Sequence, residues 1–492
     1  MPHLDLREFL TDLKVSGDLI DVSTPLDAHL ETTALARHSL LQKGPALLMT
    51  QVKNSSHASL GNLFGHERRI QQALRHRALR SFKEIGDLLA QLKEPRMPKN
   101  LKSMLRSWPE YGQLLHARTQ EMDDYIQRHD VLKGDDIDLG HLPIQHCWPE
   151  DAGRLITMGL VVTRGCLQER ENVAIYRQQV IGPRRVIMRW LAHRGGAQDY
   201  ASWKQKYPER PFPVMVVIGA DPCTLLAAVT PIPDTLSEYD FAGLLRGHPS
   251  QVVRGQLTGL HAPVGAEMVL EGHIYPNDTA MEGPFGDHTG YYNAVAEFPV
   301  LTIERMSLRP GAIYHGSYMG RSPEDEPSIL AHALNDVFVP ILQRVFPEIV
   351  DFYLPPEACS YRVAVVSIRK QYAGHARRIM MGVWSWLRQF TYTKFVIVVD
   401  DDIDARSWSQ VIWAMSTRMD PVRDTLLIDR SPIDYLDFSS PEAGWGGKMG
   451  LDATNKWPGE VSRPWGRPLQ PDAQIQERIT SLWSDLMNKR SH

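Results

Sequence analysis

The run Tyr361-Arg362-Val363-Ala364-Val365-Val366-Ser367-Ile368 decides the architecture of the C-terminal third. It is apolar almost without a break, the pattern of a strand covered on both faces. A helical pattern over 329–345 leads into it, and another over 376–389 leaves it. A second apolar strand follows at 394–399. Trp408, Val411, Ile412 and Met415 then recur at helical spacing, before a strand at 425–428. Strands that alternate with helices in this way predict a parallel sheet with crossover helices.

Upstream, between 116 and 330, the texture differs. Short β-rich runs stand at 155–163, 173–179, 186–191, 214–218, 268–275 and 300–306, punctuated by Gly and Pro. Few long helical patterns intervene, so this region reads as an antiparallel sheet or small barrel. Residues 1–115 read as mixed α/β. Leu6, Phe9, Leu10 and Leu13 form one apolar helix face, expected to be core because no dense basic face flanks it. Ala46-Leu47-Leu48-Met49 reads as a strand after Gly44-Pro45, and 95–110 as a connecting stretch. The expected division is 1–115, 116–330 and 331–492, in a mixed α/β class.

The 492 residues give room for several cores. Apolar residues at 43% and charged residues at 23% describe an ordinary globular chain. The net charge of −4 argues against broad, sequence-independent nucleic-acid binding. Cys147, Cys166, Cys223 and Cys359 form no CxxC pair, which suits a reducing cytoplasm and no cysteine zinc site. Acidic residues interrupt the N-terminus at once, so no signal peptide is expected. No apolar run approaches the ~18 residues of a membrane span, which leaves only peripheral contact.

The chain lacks GxGxxG after a strand, GxxxxGK[ST], HExxH and GxSxG. Gly444-Trp445-Gly446-Gly447-Lys448 lacks phosphate-loop spacing and reads as a turn. Three segments set charged or amide side chains beside Gly or Pro: 172–177, 188–196 and 282–290, with 231–238 between the last two. Asn172, His193 and Glu238 offer an amide, an imidazole and a carboxylate, a set suited to Mg or Mn. With 19 His and 58 acidic residues, such trios also arise by chance. Glu282 and Asp287 flank a Gly-Pro-Phe-Gly turn. Mutual repulsion there predicts one raised pKa and a protonated acid near neutrality, although a plain surface turn explains the same residues. Arg177, Arg189 and Arg194 suit a substrate carboxylate or a cofactor phosphate, or are surface charges. Asn172 and Arg177 stand an odd number of residues apart. A flat strand would point them to opposite faces, so a shared site requires a bend in the segment, or Asn172 in the loop before the strand.

Longer strings carry a family resemblance. They include Asp5-Leu6-Arg7-Glu8-Phe9-Leu10, Ile175-Tyr176-Arg177-Gln178-Gln179, Thr235-Leu236-Ser237-Glu238-Tyr239, Gly286-Asp287-His288-Thr289-Gly290-Tyr291-Tyr292, Lys370-Gln371-Tyr372-Ala373-Gly374-His375-Ala376 and Met449-Gly450-Leu451-Asp452-Ala453-Thr454-Asn455-Lys456-Trp457. Over nearly its full length the chain resembles the UbiD-type decarboxylases, and among them the bacterial carboxy-lyases of ubiquinone biosynthesis. The resemblance implies non-oxidative decarboxylation of 3-polyprenyl-4-hydroxybenzoate to 2-polyprenylphenol. It implies prenylated FMN made by a separate flavin prenyltransferase, Mn²⁺ at the flavin phosphate, and often a nearby K⁺. Asn172 and Glu238 match the family's metal ligands, with His193 the third. Ile175, Tyr176, Arg177, Arg189, Trp190, Leu191, Arg194 and Gly195 match its flavin-binding stretches. Arg177, Glu282 and Asp287 match its catalytic set, with Asp287 one methylene shorter than the Glu of relatives that act on acrylic acids.

The resemblance further implies that 116–330 is a split β-barrel flavin domain. It implies that 331–492 is an oligomerisation domain, in a dimer or hexamer. A polyprenyl substrate partitions into the bilayer, so contact with the inner face of the cell membrane is expected of a cytoplasmic enzyme of this kind. Two alternatives stay open: a decarboxylase of another aromatic or acrylic acid, and a flavin-binding scaffold subunit without catalysis.

Overall fold

The computed structural model describes residues 3–74, 81–93, 116–123, 130–166, 170–192, 194–230, 232, 236–386, 388–469 and 471–490. The 95–110 stretch lies outside them. The first helix, Leu6–Val15, buries Leu6, Phe9, Leu10 and Leu13, so that stripe is core. Asp5 caps it by accepting the Glu8 backbone N–H at 2.9 Å. Ala46–Met49 is a strand, parallel to Leu19–Val22 and antiparallel to Ala58–Gly61. The fourth strand of this sheet, Ile313–His315, comes from far downstream and pairs in parallel with Ala58–Gly61.

A nine-stranded sheet forms the centre. The runs at 155–163 and 173–179 each divide, because their halves pair with different neighbours. Asn172–Ile175 pairs with Leu160–Thr163, whereas Gln178–Gly182 pairs with Arg185–Met188 and Leu155–Ile156. These halves belong to opposite ends of the sheet, yet only Tyr176 and Arg177 join them. Three Cα–Cα steps span at most about 11 Å, so the sheet must curl until its ends meet there. Val161, Val186, Val214, Leu270 and Leu301 fill the interior. Opposed to them, Leu160, Val162, Val173, Met215 and Val217 join a core that also contains the first helix.

Met268–Glu282 and Ala296–Leu308 outrun the apolar stretches at 268–275 and 300–306. Beyond Ile274 the first of these strands alternates exposed and half-buried residues as far as Met281, which marks a ribbon with one face fully in solvent. Glu282 is its last residue and is fully buried. The helices Gly195–Lys206, Pro222–Val229 and Glu238–Arg246 interrupt the β-rich region. The last two bury nearly every residue, which removes the polar-apolar contrast that reveals a helix.

In the C-terminal sheet, Val363–Ile368 and Phe395–Asp400 run parallel, as their sequences predict. Thr425–Pro432 departs from expectation. It is an antiparallel edge, and its partner Trp445–Ala453 takes the third parallel position. Of the glycines read as a turn, Gly444 does lie in one, whereas Gly446 and Gly447 lie within this strand. A Cβ on Gly450 would meet Met380 Sδ at 2.4 Å. Lys448 is buried and donates to the carbonyls of Pro432 and Thr393. The 329–345 pattern resolves into Glu326–Ala333, a tight turn at Leu334–Val337, and Phe338–Val345. The Trp408–Arg418 helix buries Val411 but leaves Trp408 and Ile412 exposed. The last helix, Ala473–Arg490, exposes Ile475, Ile479, Leu482, Trp483 and Leu486 along one stripe. Among the described residues no helix is long and apolar enough to cross a membrane.

Candidate active site

Arg177 stands in the two-residue link between the sheet's ends, and the chain bends there. Asn172 is the first residue of the preceding strand, and its amide lies against Thr163, not among the partners of Arg177. The Arg177 guanidinium is buried, and each of its three nitrogens donates a hydrogen bond. Nε donates to Glu282 Oε1 at 2.9 Å, and Nη2 to Glu282 Oε2 at 3.2 Å and Asn293 Oδ1 at 2.9 Å. Nη1 donates to Asp287 Oδ2 at 2.7 Å. Arg189 Nη1 reaches the same Glu282 at 2.6 Å, and its Nη2 donates to the Tyr435 hydroxyl. The structure therefore brings Arg177, Arg189, Glu282 and Asp287 into one cluster from separate strands and a loop.

The turn after Glu282 is closely packed. A Cβ on Gly286 would meet Trp148 Cδ1 at 2.2 Å, and the Gly286 N–H donates to Asp151 at 2.9 Å. Asn293 accepts the Phe285 N–H at 2.8 Å, so one amide oxygen serves both Arg177 and the turn. His288 follows directly. Its Nδ1 and backbone N–H each lie 2.8 Å from Asp287 Oδ1, and its Nε2 lies 3.7 Å from Asp434 Oδ2. Asp434 also receives Arg362 at 3.2 Å.

These partners overturn the expectation of a protonated acid formed by carboxylate repulsion. Arg177 lies between the two carboxylates. Burial alone would raise Asp287, but the His288 hydrogen bond and the Arg177 charge outweigh it and hold that carboxyl well below the usual range. Burial likewise would lower His288, but Asp287 and Asp434 push it up to about 9. In this arrangement the pair is an imidazolium facing a carboxylate.

Glu238 is tied to the backbone of Val173, the residue next to Asn172, away from the Arg177 cluster. Glu238 opens its helix, capped by Ser237, and accepts the Val173 N–H at 3.1 Å. Arg170 Nη1 stands off at 3.6 Å. Burial is the main cause that pushes Glu238 up to about 7. Asn172 Nδ2 lies 3.4 Å from Thr163 Oγ1, and its Oδ1 would lie 2.2 Å from a Cβ on Gly195. His193 lies outside the described residues. Among the described residues no three His, Cys, Asp or Glu side chains cluster as a metal nest. A dehydrated carboxylate beside an amide oxygen nevertheless fits a hard divalent ion.

Tyr176 and Trp190 meet at the start of the Gly195–Lys206 helix. Gly196 N–H donates to the buried Tyr176 hydroxyl at 3.0 Å, and a Cβ on Gly196 would press on Trp190 at 3.0 Å. Among the described residues Trp190 Nε1 is buried without a partner. Ile175 and Leu191 are half-buried, whereas Arg194 is exposed at the helix cap, apart from the acid cluster. A helix N-terminus beside an unsatisfied indole donor fits an anionic cofactor tail.

Residue types alone gave His288, Asn293, Asp434, Tyr435 and Arg362 no role. His288 and Asn293 carry a local signal, since they lie within or just beyond the Gly-rich turn. Asp434 and Tyr435 carry none, because only tertiary folding delivers them.

Models of the 3-octaprenyl-4-hydroxybenzoate carboxy-lyase match the chain three times: the N-terminal domain at 10–89, the Rift-related domain at 119–322 and the C-terminal domain at 328–453. The closed form of vanillic acid decarboxylase from Sedimentibacter hydroxybenzoicus is similar at 26% identity and TM-score 0.81, over 99% of each chain. The UbiD-class enzyme HmfF from Pelotomaculum thermopropionicum, in complex with FMN, is similar at 25% identity and TM-score 0.77, over 96% of this chain and 98% of that one. An evolved dimeric form of HmfF, in complex with prenylated FMN, matches at 25% identity and TM-score 0.75, over 96% and 98%. On the matched domains and the shared architecture, this chain belongs to the UbiD family of decarboxylases.

Proposed function

We propose that this protein releases CO2 from a 3-polyprenyl-4-hydroxybenzoate, giving a 2-polyprenylphenol for ubiquinone biosynthesis. The observation that carries the reading is the buried Arg177, forked between Glu282 and Asp287. Breaking the ring–carboxylate bond leaves an electron pair in an aryl orbital that the ring cannot delocalise. Prenylated FMN, when bound, supplies the electron sink that no side chain offers. Asn172, Glu238 and His193 would hold Mn²⁺ at its phosphate, with K⁺ nearby. Ile175, Tyr176, Arg189, Trp190, Leu191, Arg194 and Gly195 would seat it.

Arg177 orients the substrate carboxylate through the geometry it already shows toward two carboxylates. Glu282, tied to Arg177 and Arg189, fixes both guanidiniums and balances their charge. Asp287 gives a proton to the ring carbon after CO2 leaves. Burial excludes water and strengthens each of these charge interactions. The exposed stripe on Ala473–Arg490 supports a homo-oligomer, dimer or hexamer. The prenyl chain supports contact with the inner membrane face, and a flavin prenyltransferase supplies the cofactor.

The test uses protein co-produced with that prenyltransferase, kept anaerobic and dark. CO2 release is compared between 3-prenylated 4-hydroxybenzoates of increasing chain length and unprenylated aromatic acids. Preference for prenylated substrates supports the reading. Turnover of unprenylated acids alone assigns the site to another aromatic acid, and binding without CO2 release assigns a scaffold role.

A further inference from the structure

Decarboxylation consumes one proton per turnover. The carboxylate carbon departs as CO2, the electron pair stays on the ring carbon, and a new C–H bond takes its proton from Asp287. Asp287 then has to be reloaded. Its side chain is 5% exposed, so water reaches it poorly, whereas the adjacent His288 is 20% exposed. We propose that His288, resting on the reading above, is the residue that positions Asp287 and returns the proton to it. Nδ1 faces Asp287 Oδ1 at 2.8 Å and Nε2 faces Asp434 Oδ2 at 3.7 Å, so the ring, more exposed than either carboxylate, lies between two buried acids.

The proton balance is closed. The Nδ1–H bond breaks as the Asp287 Oδ1–H bond forms, which leaves a neutral ring that keeps its Nε2–H, and Nδ1 then regains a proton from water to restore the imidazolium. In a site closed to solvent, this transfer turns an ion pair into a neutral pair, which dry surroundings favour. A substrate carboxylate that engages Arg177 assists by drawing its charge from Asp287.

Asp434 belongs to the C-terminal region and is itself held by Arg362 at 3.2 Å. The other charged groups that act on this assembly are Arg177 beyond Asp287 and Asp325, whose carboxyl feels the imidazole. His288 thus joins the proton donor to the C-terminal region. The relay works only when that region sits against the turn.

The test compares wild-type holoenzyme with His288→Gln and Asp434→Asn, with 3-prenyl-4-hydroxybenzoate as substrate. Wild-type kcat should fall on an alkaline limb near pH 9, where the imidazolium loses its proton. His288→Gln should lower kcat about 10²-fold and abolish that limb, with KM changed less than about 3-fold and flavin content intact. Asp434→Asn should move the limb to lower pH. In ¹⁵N-histidine spectra of the same proteins, the His288 titration should shift down equally in Asp434→Asn. An unchanged kcat and limb in His288→Gln overturns the proposal. If that variant loses flavin, Asp434→Asn decides alone: a limb that stays while the imidazole titration shifts overturns it. If wild-type protein releases no CO2, the substrate reading fails separately. The spectra then decide the relay, since a His288 titration unmoved in Asp287→Asn overturns it and a fall toward 6.5 supports it.

Discussion

Each nitrogen of the Arg177 fork meets an acceptor, and three of its four bonds end on carboxylates. The site is therefore a charge balance as much as a shape. Asp287→Asn keeps the size and removes the carboxylate that takes up and delivers the proton. We expect turnover to fall by at least about 10²-fold with flavin still bound, measured by CO2 release and cofactor absorbance. Flavin loss in that variant would make Asp287 structural. Glu238→Ala should lose manganese and flavin together, read by metal analysis of the purified protein. Retention of stoichiometric manganese removes Glu238 from the ligand set. At this scale the sequence showed the chemical types, since Arg, Glu and Asp beside Gly and Pro announce a held turn. It did not show their charge states. Those depend on Arg177 and His288, and on Asp434, which arrives from the far end of the chain.

Elements were legible where burial was one-sided or complete over a long run. Val363–Ile368 and the Leu6–Val15 stripe are such cases. They were hidden where an element changes surroundings midway, as Met268–Glu282 does, or is buried all round, as Pro222–Val229 is. The former carries Glu282, so its register matters. At Glu271/Gly272 the pairing with Ala296–Leu308 shifts, and a Cβ on Gly272 would meet the Thr302 carbonyl oxygen at 2.0 Å. Backbone cannot yield as a side-chain tip does. Gly272→Ala should cost about 1–3 kcal/mol in urea unfolding. Gly466→Ala, with open space around it, should be neutral. Equal midpoints for the two variants would contradict this account of the bulge.

Across the whole molecule, the Asp434–Tyr435 segment brings the C-terminal region to the site through His288 and Arg189. That junction makes stability depend on pH. His288 binds its proton more tightly folded than unfolded, so its contribution is whole below about pH 6.5 and is lost as pH rises through about 9. Asp287 acts in the opposite direction. Its contribution is present above the unfolded carboxyl value and is lost as pH falls toward the lower folded one. Urea midpoints should fall between pH 6.5 and 9 in wild type and fall less in Asp434→Asn; identical slopes would contradict the assignment. The central claim is that a flavin-loaded pocket with Arg177, Glu282 and Asp287 releases CO2. Its most direct test is anaerobic CO2 release from 3-prenyl-4-hydroxybenzoate by Arg177→Ala and wild-type holoenzyme, with bound flavin quantified by mass. The account predicts turnover in wild type alone, with flavin in both. Equal turnover in the two proteins, or a wild-type pocket that takes up no flavin when supplied, would contradict it.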